Sequence, residues 1–146
     1  MIVPDANLLL YAHDSSSSFH HAAADWWSDC LGGDETVGLL PVVAFAFVRV
    51  STSRAAFSDP FTLAEAAGEV RRWLGRAVVQ VVGAEAPDLD QALSLTEGAG
   101  AGGGVATDAL IAAIAIRHRA RVHTADADFA RFPRVRWYNP ITGRRG

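Results

Sequence analysis

The chain has 146 residues, half of them hydrophobic, and a formal net charge of −3. A chain of this length buries roughly 70% of its unfolded surface, which predicts one folded domain over residues 1–146 and argues against disorder. With a lone cysteine and no lysine, an internal disulfide, a Schiff-base lysine and a Walker-type phosphate loop are excluded.

The pattern along the chain alternates short β-like runs with longer helical ones. Met1–Pro4 reads as a buried strand ending at a carboxylate, and Asn7–Ala12 as helix. Ser15–Ser18 is a loop. Ala22, Ala23, Trp26, Trp27 and Cys30 recur at helical spacing over Phe19–Leu31, and Gly32-Gly33 ends that helix. Val37–Leu40 reads as a strand, followed by a helix that Pro41 opens and that runs to about Ser53. After the Asp59-Pro60 turn, Thr62 and Glu65 form a capping-box pattern for a helix to about Leu74. Val78–Val82 is a β-branched strand and Ala86–Glu97 a helix. The glycine-rich Gly98–Gly104 reads as a mobile loop, because it follows a helix rather than a strand. Thr107 is expected to cap the next helix, with Ala109–Ile116 as its buried stretch. Arg121–Thr124, a helical turn at Asp126–Phe132, and Val135–Trp137 complete the chain. Strands alternating with helices predict a three-layer α/β/α fold with a parallel sheet of four to five strands.

Neither Val37–Val50 nor Ala109–Ile116 reaches the roughly 20 apolar residues of a membrane span, so no membrane association is expected. The start, Met-Ile-Val-Pro-Asp, does not read as a signal peptide, and a single Cys30 suits a reducing cytoplasm. Charge is uneven: residues 1–116 carry five arginines against 14 acids, residues 117–146 eight arginines against Asp126 and Asp128. A basic end on an acidic protein is compatible with contacting phosphates, and equally with a solvated surface. Arg144-Arg145 reads as a disordered tail. Trp26, Trp27 and Trp73 read as core or dimer interface rather than base-stacking platforms, and His20-His21 as surface or partly packed residues.

Ligands of open α/β sheets bind beyond the carboxyl ends of the strands. Asp5 directly follows the first strand, Asp126 follows Arg121–Thr124, and Asp108 lies in the first turn of the helix after the glycines. Singly, each has a structural explanation as a turn former, cap or dipole partner. Together at one edge they would repel and raise one another's pKa, which calls for a hard divalent cation with oxygen ligands. The five histidines and one cysteine show no zinc spacing, and no Gly-x-Ser-x-Gly elbow occurs.

With these residues placed, the chain resembles the PIN-domain proteins, and among them the VapC-type toxins of bacterial toxin–antitoxin modules, in the branch abundant in mycobacteria. The matching segments are Val3–Ala12, Phe47–Ser53, Gly104–Ala113, Thr124–Phe129 and Arg136–Pro140, in order and spacing along the whole chain. The resemblance implies an endoribonuclease dependent on Mg2+ or Mn2+ that cleaves structured RNA, transfer or ribosomal, to inhibit translation. It implies a VapB-type antitoxin whose C-terminal segment blocks the site, and a homodimer. Carried over by motif, Asp5, Asp108 and Asp126 are metal-site acids and Asp128 a fourth catalytic candidate. Asn7 and Thr124 would orient them, and Arg49 would hold a phosphate, pair with an acid, or serve only as a structural salt bridge.

One position departs from the family pattern. A glutamate is usual three residues before the arginine of the third helix, and here Ala46 precedes Arg49. One acid fewer predicts weaker, more hydrated metal binding, unless Asp128 compensates, or else room for substrate or antitoxin. Ala46 also favours the alternative, a degenerate PIN domain that binds RNA or antitoxin without cutting. Against it, clustered acids without a metal are costly. A phosphatase of the haloacid dehalogenase kind is disfavoured: its second aspartate is replaced by Asn7, and its lysine is missing.

Overall fold

The computed structural model describes residues 1–146. Five three-residue strands, Ile2–Pro4 (β1), Val37–Leu39 (β2), Val79–Val81 (β3), Arg121–His123 (β4) and Arg136–Tyr138 (β5), form one sheet in the order β3-β2-β1-β4-β5. Every pairing is parallel, with Ile2 beside both Val37 and Arg121, and Pro4 beside His123. The helices are Ala6–His13 (α1), His20–Gly32 (α2), Pro41–Ser51 (α3), Leu63–Leu74 (α4), Ala86–Ala99 (α5) and Gly104–Arg117 (α6), with a 3-10 turn at Ala127–Arg131.

Crossover handedness explains the layers. Right-handed crossovers from β1 outward to β2 and β3 put α1–α4 on one face. The return from β3 to β4 reverses direction and puts α5 and α6 on the other. Packing follows: α1 lies on α2 and α3, α3 on α4, and α5 on α6. Under α1–α4 sits an aromatic core in which Phe47 meets Trp73 at 4.7 Å between ring centroids and Trp27 meets Trp73 edge-on at 5.5 Å. Each such fully buried large side chain contributes about 1.5–3 kcal/mol. Central β1 and β2 are buried along their whole length, as expected of strands covered on both faces.

Several sequence expectations shift. The glycine loop is shorter than expected: Gly98 and Ala99 still belong to α5, and Gly104 already belongs to α6. Gly100 adopts a left-handed φ of 66° to end α5, a conformation open to glycine without strain. The N-cap of α6 is therefore Gly103, and Thr107 lies within the first turn rather than capping it. Thr62 does cap α4, through Glu65 N–H at 3.2 Å, but the full reciprocal capping box lies at Glu85 and Asp88. Ala22 is exposed rather than packed. Arg144-Arg145 is not a loose tail. Backbone bonds from Asn139 N to Arg144 O (2.8 Å) and from Trp137 N to Gly146 O (2.9 Å) fold the last residues back along β5.

Candidate active site

Because Pro4 and His123 are register partners, the residues after them, Asp5 and Thr124, emerge side by side at the carboxyl edge of β1 and β4. The backbone N–H of Asp5 donates to His123 O at 2.8 Å. The Thr124 hydroxyl, fully buried, donates to Asp5 Oδ2 at 2.7 Å and accepts from Asp126 N at 2.9 Å. Asn7, one residue into α1, sends its amide to Asp5 Oδ2 (2.9 Å) and Thr124 Oγ1 (3.2 Å), and its carbonyl takes the N–H of Ala125 (3.2 Å). Asp-x-Asn spacing makes this possible: the aspartate ends the strand, and the asparagine two later is turned back toward it by the first turn of helix. Four residues from chain ends far apart are locked into one network around Asp5.

The electrostatics of this edge are unfavourable without a cation. Asp5 is 7% exposed. Burial pushes its carboxyl above the ordinary range, the Thr124 hydroxyl and the Ala6 and Asn7 amides pull it back, and the charge of Asp126 raises it again. Asp108, in the first turns of α6, is pushed up to about 7, first by burial and then by Asp5, Asp126 and Asp128 in that order. The fold thus brings Asp5, Asp108 and Asp126 within electrostatic reach of one another. No arginine or histidine bridges any of these three; the ion pairs of the protein lie elsewhere.

Asp126 and Asp128 part company. Asp126 caps the 3-10 turn by accepting Asp128 N–H on Oδ1 at 2.8 Å, which leaves its other oxygen available, and its charge is felt by both Asp5 and Asp108. Asp128 is felt by Asp108 but is not among the charges acting on Asp5, and Arg131 holds it at 3.1 Å. Arg49 is exposed in the last turn of α3 and makes no ion pair. Ala46, half-buried on α3, contributes no polar group to the edge.

The donor set suits a hard cation: carboxylates held by an amide and a hydroxyl, with no thiolate or imidazole among them. No three acidic, histidine or cysteine side chains converge closely enough to enclose an ion by themselves. The arrangement therefore fits an ion held by one or two carboxylates and completed by water, the usual habit of magnesium.

Sequence reasoning missed the support beneath Asp5. His123, whose carbonyl holds the Asp5 amide, has its ring buried between Trp26 and Tyr138. Trp26 Nε1 donates to His123 Nδ1 at 2.9 Å, so the neutral ring carries its proton on Nε2, which has no partner. Burial, then the charge of Arg121, drive the imidazole down to about 4. Nothing local in the sequence signals this contact between residues 97 positions apart.

The chain's relatives agree with this architecture. The model of the PIN domain family matches residues 2–135. Ribonuclease VapC33 of Mycobacterium tuberculosis is 38% identical over 141 residues, covering 97% of this chain and 99% of the relative. Ribonuclease VapC37 of the same species is 34% identical, covering 96% and 97%. Among solved structures, VapBC2 from Rickettsia felis bound to a promoter DNA fragment superposes with a TM-score of 0.68 at 20% identity, over 95% of this chain and 98% of that one. Mycobacterium tuberculosis VapC20, described as a sarcin–ricin loop cleaving toxin, gives 0.67 at 19%, over 92% and 98%. These two likenesses speak for the fold. Acid edge, sheet order and sequence identity along the full length lead to one conclusion: this chain belongs to the PIN-domain family, in its VapC ribonuclease branch.

Proposed function

We propose that this protein is a metal-dependent endoribonuclease and the toxin half of a type II toxin–antitoxin pair, a single domain that cleaves structured RNA, transfer or ribosomal, in the cytoplasm. One observation carries the reading: three coupled carboxylates, Asp5, Asp108 and Asp126, share a strand edge with no internal cation to balance them. Asp5 and Asp126 would hold Mg2+ or Mn2+, with Asp108 reaching in from α6. Such an ion supplies a water-derived nucleophile and neutralises charge on the scissile phosphate. Asn7 and Thr124 keep Asp5 pointed at the ion; removal of partners of this kind typically lowers metal affinity or activity about 10–100-fold. Without the ion, burial and the neighbouring acids push the Asp108 carboxyl up to about 7, so binding the ion and releasing that proton are linked.

A VapB-type antitoxin is supported by the solved VapB–VapC assembly among the structural relatives. A homodimer is supported by apolar side chains left in solvent, Phe45 on α3 and Leu89 and Leu93 one turn apart on α5. The binding-only alternative draws on the lack of three converging ligands. The deciding experiment incubates purified protein with structured RNAs in Mg2+, in Mn2+ and in chelator. Cleavage is expected in either ion and abolished by chelator; cleavage that persists in chelator, or that Asp5→Asn leaves intact, sinks the metal mechanism.

A further inference from the structure

Two copies of one local pattern stand on neighbouring strands. Arg119-Ala120-Arg121 leads into β4 and Arg134-Val135-Arg136 leads into β5. In each the middle residue is buried, Ala120 at 3% and Val135 at 7% exposure, and both flanking arginines are exposed. Arg119 and Arg134 both adopt left-handed backbone, φ 52° and 70°, where glycine is the usual residue and any side chain crowds its own backbone.

Register brings the two copies together. Arg121 is the partner of Arg136, so their side chains leave the same face of the sheet from adjacent strands. Arg136 turns to donate to the Arg119 carbonyl. Only Arg121 has a carboxylate within 4.0 Å, Glu35, which the terminal ammonium already holds at 3.0 Å. Backbone strain and like-charge crowding therefore coincide at the amino edge of β4 and β5. The folded-back C-terminus then carries Arg144 and Arg145 along the outer side of β5, Arg145 opposite Tyr138 and Arg144 bonded to Asn139. Asn139 in turn donates to Ala125 O, beside the acids. With strands rising about 3.3 Å per residue, Arg121 lies roughly 10 Å below Thr124. Six arginines thus make a track from the amino edge up to the acid edge.

We infer that this track binds the phosphate backbone of the RNA stem flanking the scissile bond. The inference rests on the ribonuclease reading above and adds a surface to it. Guanidinium forks match phosphate oxygens pairwise, and a track that ends at the acids suits a polyanion continuing into them. An acidic peptide meets only repulsion at those acids, whereas RNA brings there the scissile phosphate on which a metal ion held by them would act.

The test separates binding from cleavage. A fluorescein-labelled RNA hairpin, with a stem longer than one helical turn, is titrated with full-length protein in chelator across a range of potassium chloride. The variant Arg119→Gly/Arg134→Gly removes two charges at positions where glycine relieves strain, so folding is retained, and its Tm is measured alongside. The control, Arg54→Gln/Arg71→Gln, removes the same charge from the α1–α4 side. Expected for the track variant is about tenfold weaker binding and a salt slope lower by about two, one per lost phosphate contact, with the control near wild type. Equal weakening in both variants, an unchanged slope in the track variant, or no hairpin binding by the wild type overturns the inference. So does a track variant that loses affinity for polyglutamate but not for RNA. A wild type that binds hairpin through the track yet cleaves no RNA in Mg2+ supports the track while refuting the nuclease reading.

Discussion

Asp88 and Asp5 are both withdrawn from water, at 1% and 7% exposure, and the protein treats them in opposite ways. Asp88 meets Arg117 Nε at 2.8 and 3.0 Å and takes the Glu85 N–H at 2.8 Å, while the other guanidinium nitrogens reach Glu85 and Gly83. Burial alone would raise its carboxyl; Arg117 and the Glu85 amide more than reverse that and hold it low. Asp5 receives a hydroxyl, an amide and another negative charge, and stays high. The first acid has its counter-ion built in and ties α5 to α6. The second is positioned with equal care and left short of positive charge, which is what supports the proposal of an external ion there.

Removing charge should therefore have opposite consequences at the two places. Asp5→Asn and Asp108→Asn are expected to lower RNA cleavage about 100-fold or more, since several kcal/mol of charge stabilisation are at stake. Their metal-free Tm at pH 8 should match or exceed that of wild type; a marked drop would mean that these acids are structural. Arg117→Ala strands Asp88 without its partner, and Tm should fall by on the order of 5–10 °C while activity per folded molecule is kept. If cleavage collapses with Tm unchanged, the two regions have been assigned the wrong way round.

Acidity sharpens the contrast further. The folded protein keeps a proton on Asp108 that the unfolded chain releases between 3.8 and about 7, so metal-free stability falls as pH rises through that window. Mg2+ should restore a few degrees of Tm at pH 8, with the ion about tenfold above its Kd, and nothing at pH 5. A Mg2+ shift independent of pH, read by differential scanning fluorimetry, would contradict the assignment. His123 acts in the other direction: driven from 6.5 to about 4 by burial, it removes stability as pH falls through that range. The smallest effect is expected at Asp128→Asn, within about threefold of wild-type activity, against a loss at Asp126→Asn comparable to that at Asp5. Equal losses at both positions would show that Arg131 yields Asp128 to the ion.

Every helix and strand was legible in the sequence to within a few residues, because period and punctuation are local signals. The exceptions have local causes too. Gly98 and Gly104 read as loop because glycine is a poor helix former, yet both are helical where neighbouring apolar residues pack. The acids stood out as candidates from Asp-x-Asn, from the places of Asp5 and Asp126 after strands, and from that of Asp108 at the start of a helix. What escaped were pairings that only the tertiary fold creates: Trp26 with His123, Asp88 with Arg117, and Arg121 beside Arg136. Spacing suggested the i,i+3 pair Asp128–Arg131 no more than it suggested a fourth metal ligand, and distinguishing the two required the side-chain geometry.

The sheet ends differently on its two sides. Along β5, the folded-back Arg144–Gly146 segment occupies the N–H and C=O groups of Trp137 and the N–H of Asn139. At β3, the opposite margin, Gln80 and Val81 remain exposed. An exposed strand margin offers unpaired N–H and C=O groups on which another chain can pair. The Arg144–Gly146 segment thus takes up backbone groups of β5 that would otherwise face a foreign strand, and sets two charged side chains beside that margin.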